Sequence, residues 1–303
     1  MSGRRGLAQL IVLWALILLG TLAAGFALSM RTEAQAARND IDGLRAYFQA
    51  RTGMSMAVML LSIFPDGGLS GVRIEEGDGD VAYMVDIMGE GGKININLVS
   101  EEDLFEILVK GGLSGKEAES LRDAILDWKD QDDDRRPHGA EAADYARLRE
   151  PLIPRNGKFE SVEELRYVMG VTQEFYDRFL SRVFTVYGNV SWINASEASR
   201  IVLGAMPGVS PEAADEIMEI RREKQVVSTR DLADLASRDL LTQRAFSMLS
   251  NRTASRVYEI TSTGTTGRGV AHSVRCLATV GGGAKRSVKI LRWVDLAARG
   301  EEQ

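Results

Sequence analysis

The chain has 303 residues, a formal net charge of −6, 45% hydrophobic content and one cysteine. That length leaves room for one large or two modest globular units, and the negative balance makes a poor generic binder of nucleic acid. The lone Cys276 excludes an internal disulfide, so a body outside the cytoplasm must be held together by its core or by something else.

Arg4-Arg5-Gly6 gives way to residues 7–30, which carry no charged side chain. At about 1.5 Å per residue this run reaches roughly 36 Å, enough to cross a hydrocarbon core of about 30 Å. A signal peptide has an apolar core of about 7–15 residues, shorter than this one. Both arginines precede the run, which places the N-terminus in the cytoplasm and the body across the membrane. The helical pattern continues past Met30, with no proline before Pro65 and with Ala34, Ala37, Ile41, Leu44, Phe48 and Met56 at helical spacing. One long helix is predicted, half in lipid and half amphipathic.

After Pro65 the stretch GGLSGVRIEEGDGD is turn-rich. In VAYMVDIMGEGGKININ, Val81, Tyr83, Val85 and Ile87 alternate as in a strand. From residue 100 to about residue 253 the periodicity is helical, broken by RRPHGAEAADYARLREPLIPRNGK. The last runs, SRVYEITSTGTT, GVAHSVRCLATVGGG and KRSVKILRWVDL, are β-rich and separated by glycine turns. This order predicts an α+β protein in which the N-terminal helix packs on an antiparallel sheet. A large all-α block is inserted between the first strand and the rest.

The block shows an internal duplication. NINLVSEEDL at 95–104 and WINASEASRI at 192–201 each open with residues suited to helix N-caps, and FESVEELRYVMGVTQEFYDRF resembles VVSTRDLADLASRDLLTQRAF. The second copy has the outline of a helix-hairpin-helix unit, with its hairpin at Pro207-Gly208-Val209-Ser210. Phosphate-binding hairpins carry a second glycine where this chain has Ser210 and, in the related segment, Thr172. Arg221, Arg222 and Lys224 are interleaved with Glu212, Asp215, Glu216, Glu219 and Glu223, which weighs against nucleic acid. A membrane-anchored helix-hairpin-helix receptor for DNA, of the competence type, stands as the alternative function.

The sharpest chemical signal is DWKDQDDDRRPHGAE at 127–141. Counted from Asp130, the carboxylates of Asp130, Asp132, Asp134 and Glu141 fall at the first, third, fifth and twelfth positions, the skeleton of a calcium loop, with Asp127 a further ligand candidate. Arg135 replaces the turn glycine and Pro137 bends the path, so the loop is no true EF-hand. A structural Ca2+ is expected here, in a chain that has no disulfide to stabilise it. His138 and His272 are the only histidines and neither adjoins a nucleophile motif, so no enzyme is expected.

RRG-LAQLIVLWALILLGTLAAGF, RTEAQAARNDIDGLRAYFQARTG, GKININ, AILDWKDQDDD, HGAEAADY and ELRYVMGVT together resemble the minor pseudopilin K family of bacterial type II secretion systems, from Gly6 to about Leu235. The resemblance implies cleavage by a prepilin peptidase between Gly6 and Leu7, with Leu7 N-methylated. It also implies a pilin-like fold and an inserted helical domain containing bound calcium. The layout becomes a leader at 1–6, the transmembrane half of the helix at 7–30, a discontinuous pilin-like α/β domain at 31–94 and 254–303, and the helical insert at 95–253. Most pilins place a glutamate where this chain has Ile11, and family K characteristically lacks it. A subunit without that carboxylate cannot neutralise a neighbour's N-terminal amine within lipid, which suits a terminal position better than repeated stacking. The expected location is the inner membrane, as a single pass with a periplasmic body at the pseudopilus tip. The expected partners are minor pseudopilins I and J, the prepilin peptidase and inner-membrane lipid.

Overall fold

The computed structural model describes residues 3–64, 69–188, 192–224, 226–250, 256–281 and 287–296; the side chains of 3–11 and of Ser250 lie outside that description. Helix α1 (Gly3–Ile63) runs unbroken because neither proline nor a local polar cap interrupts it. From Val12 to Met30 no other described residue covers it: Trp14, Leu18, Leu22 and Phe26 are all exposed. It is long and apolar enough to cross a membrane. The second half buries one stripe, Ala46, Ala50, Met54, Ala57 and Leu61, at helical spacing.

The chain then forms β1 (Val72–Gly77) and β2 (Val81–Gly89), an antiparallel hairpin. The turn-rich stretch GGLSGVRIEEGDGD therefore also holds a strand that its pattern does not announce. Only Val72 and Ile74 are apolar there, too few for a visible alternation, and the strand is held as an edge by its pairing to β2. The glycines do make the turn: Gly79 has φ 94°, and the Asp78 carboxylate accepts from the Asp80 amide at 3.2 Å.

The helical block begins with β3 (Ile94–Asn95), followed by α2 (Glu101–Lys110), α3 (Gly115–Lys129), α4 (Ala142–Tyr145), α5 (Gln173–Phe175) and α6 (Ser181–Val183), and closes on β4 (Phe184–Thr185). A second pass follows as β5 (Ile193–Asn194), α7 (Arg200–Ala205), α8 (Pro211–Lys224), α9 (Thr229–Ser237), α10 (Gln243–Met248) and β6 (Leu249–Ser250). In each pass the opening strand pairs in parallel with the closing one, β3 with β4 and β5 with β6. The opening turns also match: Asn95 Oδ1 accepts from the Asn97 amide at 2.9 Å, and Asn194 Oδ1 from the Ser196 amide at 3.0 Å. Ser100 and Ser199 then cap α2 and α7, Thr172 and Thr242 cap α5 and α10, and Ser161 and Ser228 occupy corresponding caps between them. The two passes are thus one architecture repeated. They differ most between Ser114 and Ser161 against Ser210 and Ser228, where the first pass holds the acidic run as an insertion. Ile107, Ile125, Phe184, Leu203 and Ile217 belong to one continuous core.

The chain returns as β7 (Val257–Thr266), β8 (Ala271–Val280) and β9 (Val288–Leu296), giving a five-stranded antiparallel sheet in the order β1-β2-β7-β8-β9. Its inner face, including Val85, Ile87, Tyr258, Ile260, Val274 and Cys276, forms a second core with the α1 stripe. Gly264 lets the sheet meet the helix backbone, since a Cβ there would overlap the Ala46 carbonyl oxygen and the Ala50 nitrogen. This contact orients the molecule. The β7–β8 hairpin points back along the stem, where Arg268 reaches Asp42 at 3.0 Å. The opposite sheet end, where Gly89 pairs with Tyr258, carries the helical block.

Candidate metal centre

Helix α3 supplies the floor of the acidic site. Its N-terminus is fixed by a capping box between Ser114 and Glu117, and Asp123 and Asp127 lie one turn apart on its buried face. Asp130 is its C-cap. The chain then loops out and returns to Glu141, whose amide is held by the Asp144 carboxylate at 3.2 Å. One carboxylate oxygen each from Asp127, Asp130 and Glu141 lies within 4.8 Å of the others.

Asp132 and Asp134 stand outside this cluster on the exposed part of the loop, where Asp132 Oδ1 takes the Asp134 amide at 3.0 Å. Of the five ligand candidates, the structure brings three together. With Arg135 where a wrapping loop needs a turn glycine, the path does not fold the middle carboxylates back over the centre. Gly6, Leu7 and Ile11 lie on α1, but their side chains fall outside the described residues.

Three contributors were not singled out from the sequence. Asp123 receives the His138 amide at 3.2 Å and so pins the returning limb of the loop. Gly139 sits where a Cβ would run into the Asp127 carboxylate. Arg136 donates from Nη1 to Asp127 Oδ1 at 2.7 Å and to Asp130 Oδ2 at 2.5 Å. The four-residue spacing of Asp123 and Asp127 was the available signal for the first; the other two depend on how the loop closes.

The electrostatics are those of carboxylates short of positive charge. Burial, reinforced by Asp127 and Asp130, pushes the Glu141 carboxyl up to about 7. Burial also raises Asp127, against the pull of Arg136. Glu141 is only 4% exposed, and neither of its side-chain oxygens has a hydrogen-bond partner among the described residues; Asp130 Oδ1 is likewise unpartnered. Three carboxylates facing one guanidinium leave an excess of two negative charges. Hard oxygen donors with free lone pairs and that excess fit one divalent cation of the calcium type.

The Pro207–Ser210 hairpin is built differently. Gly208 has φ 72° and its carbonyl accepts from the Thr242 amide at 2.9 Å. The Ser210 amide, one of those a phosphate would need, donates instead to the Leu240 carbonyl at 3.1 Å. Lys110 covers the same turn, donating to the Met206 carbonyl at 2.5 Å and the Val209 carbonyl at 3.2 Å. The basic residues behind it are engaged as well: Arg221 with the Ala198 carbonyl at 2.5 Å, Arg222 with Glu219 at 2.8 Å and Lys224 with Asp231 at 3.1 Å. This is an internal packing hinge between the two passes, and the DNA-receptor alternative is not favoured.

Residues 92–188 match the family described as type II secretion system (T2SS), protein K. The match runs from just before β3 to just past β4, the whole first pass with its acidic insertion. A curated type II secretion system protein K from Pectobacterium carotovorum subsp. carotovorum is 27% identical over 289 residues, 86% of each chain. By these matches the chain is similar to protein K of type II secretion systems, most specifically across its first pass. A second protein K, from Dickeya chrysanthemi, is 31% identical over 106 residues, 35% of this chain and 27% of the relative. In structure the fold resembles that in the crystal structure of the GspK-GspI-GspJ complex of enterotoxigenic Escherichia coli. That likeness has a TM-score of 0.60 at 15% identity and covers 88% of this chain and 99% of the other. The protein is a minor pseudopilin with a role in protein transport, and the expected α+β class is the one found.

Proposed function

We propose that this pseudopilin caps or initiates a short periplasmic pseudopilus, as its tip subunit, in company with minor pseudopilins I and J. The observation that carries the reading is polarity along the molecule. The bare apolar half of α1 is at one end, and the helical block hangs from the sheet end farthest from it. Stacked subunits bury the stem of one against the body of the next, and a block of this size above the sheet would obstruct that repeat.

In this reading the apolar half of α1 anchors the chain in inner-membrane lipid with the N-terminus cytoplasmic, as the flanking Arg4 and Arg5 favour. A prepilin peptidase cuts between Gly6 and Leu7 and the new terminus is methylated. Ile11 leaves the subunit without the carboxylate that would pair with a neighbour's amine. Asp127, Asp130 and Glu141 hold a structural Ca2+, which neutralises the crowded carboxylates and ties the returning loop to α3. The role is structural, with no catalytic residues.

The test is position-specific crosslinking in assembled pseudopili, from cysteines placed on the exposed stem. Tip placement predicts adducts with minor pseudopilins alone, in one copy per fibre. Regular adducts with the major pseudopilin along the shaft would refute it.

A further inference from the structure

We propose that Arg136 is a tethered counter-cation. It occupies the acidic centre when no metal is present, and its guanidinium must swing out before a divalent cation can bind. The proposal rests on the calcium reading above and adds what regulates the site.

The geometry sets up a competition. Arg136 Nη1 bridges Asp127 Oδ1 and Asp130 Oδ2, two of the three carboxylates that would ligate the ion. A calcium ion about 2.4 Å from its oxygens would stand within a few ångströms of that nitrogen, where the repulsion between the two cations is large. Both cannot keep the same contacts. Yet the Arg136 backbone can stay put while its side chain leaves, because its amide is separately held by Asp127 Oδ2 at 3.2 Å. The side chain is 33% exposed, so it has a route to water.

The arrangement would also hold a loop with this many acids together before a metal binds. Removing every cation from buried Asp127 and Glu141 and half-buried Asp130 would leave mutual repulsion with nothing to offset it. One guanidinium offsets part of it and satisfies two oxygens, while Glu141 and Asp130 Oδ1 are left for the metal. The same charge raises the threshold for binding, so a weakly held ion fails to displace it and a well-matched divalent ion does.

The experiment is calcium titration of the chelator-stripped full chain in detergent, by calorimetry, for wild type, Arg136→Gln and Arg136→Lys. Arg136→Gln is expected to bind about tenfold more tightly or better, having lost a like charge in contact with the site, and to melt at a lower temperature without metal. Arg136→Lys keeps the charge and is expected to bind as the wild type does. Equal or weaker binding by Arg136→Gln would overturn the proposal and make Arg136 a positioning residue for the ligands. Binding by Arg136→Lys as tight as by Arg136→Gln would also overturn it. If the wild type binds no calcium but Arg136→Gln does, the competition stands and the structural-calcium reading fails; if neither binds, both fail. Should Arg136→Gln be unfolded after stripping, calcium-driven refolding followed by circular dichroism supports the proposal, and failure to refold at saturating calcium overturns it.

Discussion

Glu141→Gln should reverse its own effect on stability when calcium is added. Glu141 is buried, unpartnered and surrounded by carboxylates, and its carboxyl is pushed up to about 7 from an ordinary 4.5. The sign follows from proton counting. Below pH 4.5 the group is protonated folded and unfolded, and contributes nothing. Between 4.5 and about 7 the unfolded chain releases a proton that the metal-free fold retains, so stability falls as pH rises. Above pH 7 the full cost is present, about 3 kcal/mol for a shift of this size. Gln carries no such cost. In chelator, Glu141→Gln should therefore match the wild type near pH 4 and exceed it by about 3 kcal/mol at pH 8. In calcium at a thousandfold excess over Kd the order inverts, because the wild type gains about 4.1 kcal/mol, more than the cost of about 3 kcal/mol, and the variant has lost a carboxylate ligand. The assay is thermal or urea unfolding of the detergent-solubilised chain at several pH values, with chelator and with calcium. Superimposable curves for the two proteins in chelator from pH 4 to 8 would refute the electrostatic reasoning. A wild type indifferent to calcium would refute the metal.

Two further perturbations probe the frame that holds the site. Gly264→Val places a branched side chain against the α1 backbone at Ala46 and Ala50, and should cost about 1–3 kcal/mol and loosen the stem, seen as faster amide exchange over residues 42–61. Asn95→Ala and Asn194→Ala each remove the turn that opens one pass, where Asn95 Nδ2 also donates to the Gly188 carbonyl at 2.7 Å and Asn194 Nδ2 to Glu197 Oε1 at 2.9 Å. Each should cost about 1–3 kcal/mol in urea unfolding, and a large inequality between them would argue against equivalent passes.

Much of this molecule was readable from residue patterns, for reasons that also explain the rest. The long proline-free run announced α1, and the strict alternation of Val81, Tyr83, Val85 and Ile87 announced β2, because one face of each is buried and periodicity is the record of burial. Strand β1 left no such record, since an edge hairpin buries little. Sequence likeness exposed the duplication, but the parallel closures of β3 on β4 and β5 on β6 involve two residues a side, below what any period can reveal. At the acidic centre the carboxylates were visible and their grouping was not. Asp127 and Glu141 converge because α3 and the returning limb meet, while Asp132 and Asp134 remain on the loop's outer side. The role of Arg136 depends on a loop path that Arg135 and Pro137 determine, and no spacing rule encodes it.

The central claim, that this chain is a processed pseudopilin, is tested most directly by the intact mass and N-terminal peptide of the protein recovered from its native envelope. A processed pseudopilin begins at N-methylated Leu7, with residues 1–6 gone. An uncut terminus at Met1 would contradict it and leave α1 a plain membrane anchor.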